Sequence, residues 1–303
     1  MIRRLAGALV LAVLTLAIVQ CALTRPAGGP SAPAPVSGQS APASLAATAG
    51  CETQAAFASA AFANGASLQM AQWSVFGRPE TGWAMYAPLI AHELRVACPP
   101  QSAVFAAALA QWQGDHRLPA SGEMDEATLR ALDLVWLQRR PFVAATAHGQ
   151  CPDPPPPEDL ASISPAEGYL AQPARLRPGA LAAYRRLVAA ARAESPAIAA
   201  DPRLLSIFSG YRDPAADAAA CAASNTCGTP ARAGTCSAHR TGLAMDLYLG
   251  SAPGYPPESS ADPNRLFQSQ SPAYRWLVAN AGRFGFVNYP FEPWHWEWAG
   301  EPG

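Results

Sequence analysis

The chain has 303 residues, half of them hydrophobic, a formal net charge of -1, and 21 basic residues that are all arginine. That length suits two modest domains with tails, although much of the apolar half is alanine, which buries little area per residue. No basic stripe of the kind nucleic acids select is present, so a nucleic-acid partner is excluded.

Residues 1–21 read as an export signal: Arg3 and Arg4 precede a largely apolar run from Leu5 to Val19. Cys21 follows at the place where a lipoprotein signal puts its lipidated cysteine, but Gln20 replaces the usual small residue before it. Lipidation of Cys21, plain cleavage and retention as a membrane anchor are therefore all open. Each puts the body of the protein outside the cytoplasm, in the periplasm or attached to the cell envelope. Six further cysteines remain: Cys51, Cys98, Cys151, Cys221, Cys227 and Cys236. An even set in an exported chain predicts disulfides, in any of fifteen pairings, with at least one local bridge among the last three.

Residues 22–49 are rich in Ala, Pro, Ser and Gly and cannot bury enough apolar surface to fold, which predicts a flexible tether. Residues 50–150 follow as a helical module. Val104, Phe105, Leu109 and Trp112 fall near helical spacing, Leu118 to Gly122 forms a turn, and Asp125 can cap a helix running through Thr128, Leu129 and Leu132. This stretch resembles the small three-helix peptidoglycan-binding module of many wall enzymes, with an ordinary helical spacer as the alternative. His92, His116 and His148 lack ligand spacing and read as surface or satisfied histidines. A proline-rich linker, 151–157, separates this module from residues 158–303.

In the C-terminal part, Leu181 to Ala191 predicts a helix that ends near Ser195-Pro196. Strands are predicted over Leu204–Tyr211, Leu243–Leu249, Phe284–Tyr289 and Trp294–Trp298, and a further helix over Ala273–Ala281. Helices and strands do not alternate regularly, so the expected fold class is α+β with a central antiparallel sheet, preceded by the small helical module.

Two clusters carry chemistry. In the strand after Gly242, Leu243, Met245, Leu247 and Leu249 share the core face, and Ala244, Asp246 and Tyr248 share the other. Asp246 thus stands beside a small alanine with room for a metal, and Gly242 lets the chain turn so that His239 reaches the same place. In Glu292-Pro293-Trp294-His295, His295 supplies a third ligand and Glu292 a carboxylate base. Hydrolytic zinc sites keep three protein ligands and one water, whose pKa the metal lowers to roughly 7. Trp294, Trp296 and Trp298 read as a core face, with a sugar-stacking surface as the alternative, and Glu297, on the His295 face, as a partner behind the ligand or a plain surface residue.

The pattern Ser-x-His-x-x-Gly-x-Ala-x-Asp followed by Glu-Pro-Trp-His resembles the D-alanyl-D-alanine carboxypeptidases of the vancomycin-resistance type. These are zinc peptidases of the group that includes lysostaphin-type endopeptidases and the hedgehog signalling fold. The similarity runs from about Leu204 to Trp298 and includes Ser209-Gly210-Tyr211-Arg212. It implies His239, Asp246 and His295 as ligands of Zn2+ and Glu292 as catalytic base. It also implies Arg212 and Ser237 as substrate contacts, Arg212 as an anion clamp; Ser237 has a turn-capping alternative. The implied substrate is the peptidoglycan stem peptide, the implied reaction loss of a terminal D-alanine. L,D-carboxypeptidase or endopeptidase cleavage at the same site, or peptidoglycan binding without turnover, are the alternatives. The cysteine-bearing segment Asp213 to Thr235 and the short stretch from Phe286 to Glu292 depart from the relatives and bear on substrate choice.

Overall fold

The computed structural model describes residues 50–228 and 232–300. The expected export signal, Cys21 and the tether lie outside the described residues. Among the described residues no helix is long and apolar enough to cross a membrane.

The N-terminal part folds as predicted from helices: α1 (Ala58–Ser67), α2 (Ala87–Glu93), α3 (Ala103–Asp115), α4 (Glu126–Gln138) and α5 (Pro141–Ala145). A small antiparallel pair, β1 (Gln72–Trp73) and β2 (Glu80–Thr81), lies between the first two. Capping fixes the starts of α3 and α4: Ser102 Oγ accepts from the Phe105 amide and Asp125 Oδ1 from the Thr128 amide. The turn between these helices is tied down by buried amides. Gln113 donates to the Glu123 carbonyl and to Thr128, and accepts from the Gly122 amide. Gly122 takes φ +74°, and a Cβ there would stand 2.6 Å from the Ala106 carbonyl oxygen, so only glycine fits. Trp83, Ile90, Phe105, Leu109, Leu129 and Leu132 form the centre of this core.

The C-terminal part begins with the pair β3 (Ala161–Ser162) and β4 (Arg175–Leu176), then α6 (Pro178–Glu194) and α7 (Pro196–Ala200). A four-stranded antiparallel sheet follows in the order β5-β6-β8-β7, from β5 (Ile207–Ser209), β6 (Ala244–Leu247), β7 (Phe286–Asn288) and β8 (His295–Trp298). Helices α8 (Pro214–Ser224), α9 (Asp262–Ser269) and α10 (Pro272–Asn280) fill the connections. One sheet face packs Met245, Leu247 and Trp296 against Leu181, Tyr184 and Leu187 of α6 and Tyr274 and Leu277 of α10. The mixture of helices and a central antiparallel sheet is α+β. The strand expected over Leu204–Tyr211 shortens to β5 because Leu205 has φ +67° and the pairing with β6 shifts register between Ile207 and Ser209.

Three disulfides, Cys51–Cys98, Cys151–Cys236 and Cys221–Cys227, resolve the pairing. The last is the local bridge, and the second ties the proline-rich stretch to the loop before His239. The helical part and the sheet part also share buried contacts. Leu89 of α2 packs against both cores, and Arg265 of α9 is buried in an ion pair with Glu80.

Asp133 of α4 is 7% exposed and its Oδ1 has no hydrogen-bond partner. Burial, only partly offset by Arg140, pushes its carboxyl up to about 7. A carboxyl raised on folding binds its proton more tightly in the native state, so native stability falls as pH climbs from about 4 to about 7. Asp133→Asn removes this loss. Relative to wild type, the variant should gain roughly 2–4 kcal/mol between pH 5 and pH 8 in urea denaturation. An equal difference at both pH values would show that Asp133 ionisation does not matter to the fold.

Candidate active site

β6 and β8 pair so that Asp246 and His295 are directly opposite each other. Both lie on the sheet face away from the Met245–Leu247–Trp296 core, as alternation along a strand demands. His239 comes from a 3-10 turn, Ala238–Thr241, that ends at Gly242 with φ +70°. A Cβ at Gly242 would stand 2.9 Å from Leu160, so the turn that returns His239 to the strand depends on this glycine. The three side chains converge: His239 Nε2 lies 3.1 Å from Asp246 Oδ2, and His295 Nδ1 lies 2.9 Å from Asp246 Oδ1. All three residues are buried, and one donor atom from each lies within 4.8 Å of the others.

The chemistry of this donor set fits a cation. His239 Nδ1 is 2.7 Å from the Gly210 carbonyl oxygen, which can only accept, so this nitrogen carries the proton. The neutral ring then turns an Nε2 lone pair toward Asp246 Oδ2, acceptor against acceptor, an arrangement that a proton or a metal ion must relieve. Burial and Arg212 push His239 protonation down, which leaves that lone pair free for a metal. Burial also lowers His295, but Asp246 and Glu297 outweigh it and lift the ring to about 9. The imidazoles in turn hold the Asp246 carboxyl well below the usual range, against its burial. Without a metal the cluster therefore holds a proton that a bound metal would displace.

Glu292 Oε2 lies 4.0 Å from His295 Nδ1, and the side chain keeps 27% exposure to the cleft. The Tyr289 carbonyl accepts from the Glu292 amide, and the Glu292 carbonyl from the His295 amide, which fixes the turn between β7 and β8. Burial, with Asp246 adding, raises the Glu292 carboxyl above its ordinary value despite His295 and two arginines.

Arg212 follows β5 and lines the same cleft of about 250 Å³; its Nε is buried without a partner, 3.9 Å from Asp217 Oδ1. Ser237 also lines the cleft but caps nothing. Its hydroxyl and its amide both donate to Asp217 at 2.6 Å, so the hydroxyl faces any ligand as an acceptor only. All six residues singled out in the sequence thus border one cleft. Sequence reading missed Asp217, which gathers Ser237 and Arg232 around the site, and Arg232 itself, 3.1 Å from Asp217 Oδ1. The capping Asp213-Pro214 start of α8 could have placed Asp217 one helical turn on. Arg140, which enters the cleft from the helical part, gave no signal at all.

Fold and site together define an α+β protein whose sheet presents a buried His–Asp–His cluster, able to hold a metal, to an open cleft beside a glutamate. Residues 173–301 match the VanY family, D-alanyl-D-alanine carboxypeptidase, and that span includes the whole four-stranded sheet and all six of these residues. No curated protein and no solved structure matches the chain.

Proposed function

We propose that the protein is a zinc-dependent peptidase of the cell envelope that removes the terminal D-alanine from peptidoglycan stem peptides. The observation that carries this reading is the convergence of His239, Asp246 and His295 beside Glu292, inside the segment that matches the carboxypeptidase family. His239 Nε2, an Asp246 oxygen and His295 Nδ1 would hold the ion. Bound there, zinc keeps a position for water, lowers its pKa to roughly 7 and polarises a carbonyl.

The chain's own residues do the rest. Glu292, raised by burial, is suited to accept the proton of the attacking water and return it to the leaving amine. Arg212 lines the cleft and brings a positive charge toward the oxygen that gains charge as the carbonyl is attacked. Arg140, Arg212 and Arg232 line the cleft together with Asp246, Glu258 and Glu292, so the wall carries both signs, and the preference for a terminal D-alanine rests on the family match. The three disulfides and the basic-then-apolar start of the chain support export, with attachment to the membrane through that start or through Cys21.

The test is metal analysis of the purified protein followed by mass spectrometry of a synthetic stem pentapeptide and tetrapeptide. About one zinc per chain and loss of one D-alanine from the pentapeptide is the expected result. Shortening of the tetrapeptide alone would reassign the bond, and zinc without cleavage would favour a wall-binding role.

A further inference from the structure

The helical N-terminal part reaches the metal site through one carboxylate. Glu297 of β8 points to the same side as His295, two residues away, and is 1% exposed. Arg140, between α4 and α5, is equally buried and donates from Nε to Glu297 Oε1 at 2.6 Å. The amide of Phe142, the second residue of α5, donates to Glu297 Oε2 at 3.0 Å. Both oxygens are therefore held from the N-terminal part. Oε1 also lies 3.5 Å from His295 Nε2, the ring nitrogen turned away from Asp246, and that nitrogen has no other partner. A histidine that binds a metal through one nitrogen almost always donates the other N–H to an acceptor that sets the ring's tautomer and direction.

A second strut brackets the same loop. Arg265 donates from Nε to the Phe291 carbonyl at 2.7 Å and is itself buried against Glu80 and Tyr86 of the N-terminal part. Phe291 immediately precedes Glu292. The Arg140 guanidinium also covers the Tyr289 ring at 4.1 Å, at the other end of the loop.

We infer that the helical N-terminal part is a structural half of the active site: Arg140 is a positioning residue that, with the Phe142 amide, sets Glu297 behind His295 and so fixes this ligand for zinc. The inference rests on the zinc reading above. It assigns work to a region outside the segment matched by the carboxypeptidase family, and it makes that region more than a tethered wall-binding module.

Zinc affinity of the full chain, measured by chelator competition, tests it. Glu297→Gln and Arg140→Gln should each weaken zinc binding about 10- to 100-fold, the range for groups that orient a metal ligand. Removing one partner of a buried ion pair can also unfold the chain, whereas replacing both by apolar residues of similar size is often neutral. The double variant Arg140→Met/Glu297→Leu should therefore melt near the metal-free wild type yet keep the weakened zinc binding. Arg140→Lys, which restores the charge, should recover most of the affinity. A double variant that binds zinc as tightly as wild type would overturn the inference and leave the pair as packing only. Absence of zinc from the wild type would instead sink the reading on which it rests.

Discussion

Glu292→Gln should keep zinc at the wild-type level and lower turnover of the stem pentapeptide by roughly 100- to 10,000-fold, the usual contribution of a positioned general base. The substitution is close in shape, and the carboxylate is not within the His239–Asp246–His295 donor set. Its Oε2 stands 4.0 Å from His295 Nδ1, too far to hold that ring. The turn that carries it is kept by backbone bonds from Tyr289 to Glu292 and from Glu292 to His295, which the amide side chain leaves alone. Metal analysis and kinetics on one preparation separate the outcomes. Loss of zinc together with activity would make Glu292 a ligand and not a base. Retained zinc with unchanged turnover would hand the proton to another group in the cleft.

The metal-capable cluster was legible in the sequence because it is built from local rules. Period-two alternation places Asp246 opposite the Met245–Leu247 core face, and antiparallel pairing then brings His295 across from it. The cap at Asp125 likewise announces α4 from a few adjacent residues. What escaped depends on residues far apart in the chain. Arg140 meets Glu297 across a separation of 157 residues, and nothing in Arg139-Arg140-Pro141 distinguishes a buried arginine from a solvated one. Glu297 itself could be read either as a support for His295 or as surface, and its burial by Arg140 and Phe142 removes the surface reading. Ser237 illustrates a different limit. Its place beside the site follows from the motif, but the commitment of its hydroxyl to Asp217 depends on how α8 folds back, which the segment between Asp213 and Thr235 does not announce. The cysteines were countable, yet their pairing is a property of the tertiary fold, and Cys151–Cys236 joins two segments that no local pattern connects.

Asp246→Asn should abolish the response of the protein to zinc. The carboxylate sits between two imidazoles at 2.9 and 3.1 Å and is the only anion of the three-residue donor set. An amide keeps the shape but gives up the charge, and its NH2 can donate to one histidine lone pair that the carboxylate opposed. The metal-free fold gives up the attraction between the carboxylate and the His295 ring, and zinc loses a ligand and the charge that offsets its own. In the wild type, zinc at about 100 times its dissociation constant should add about 2.7 kcal/mol to stability, seen as a rise in Tm that a chelator reverses. In Asp246→Asn that rise should vanish and peptide cleavage should fall to background, with the Tm in chelator below the wild-type value because the buried pair with His295 is lost. A zinc-dependent rise of wild-type size in this variant would place the metal elsewhere in the molecule, and with it the chemistry.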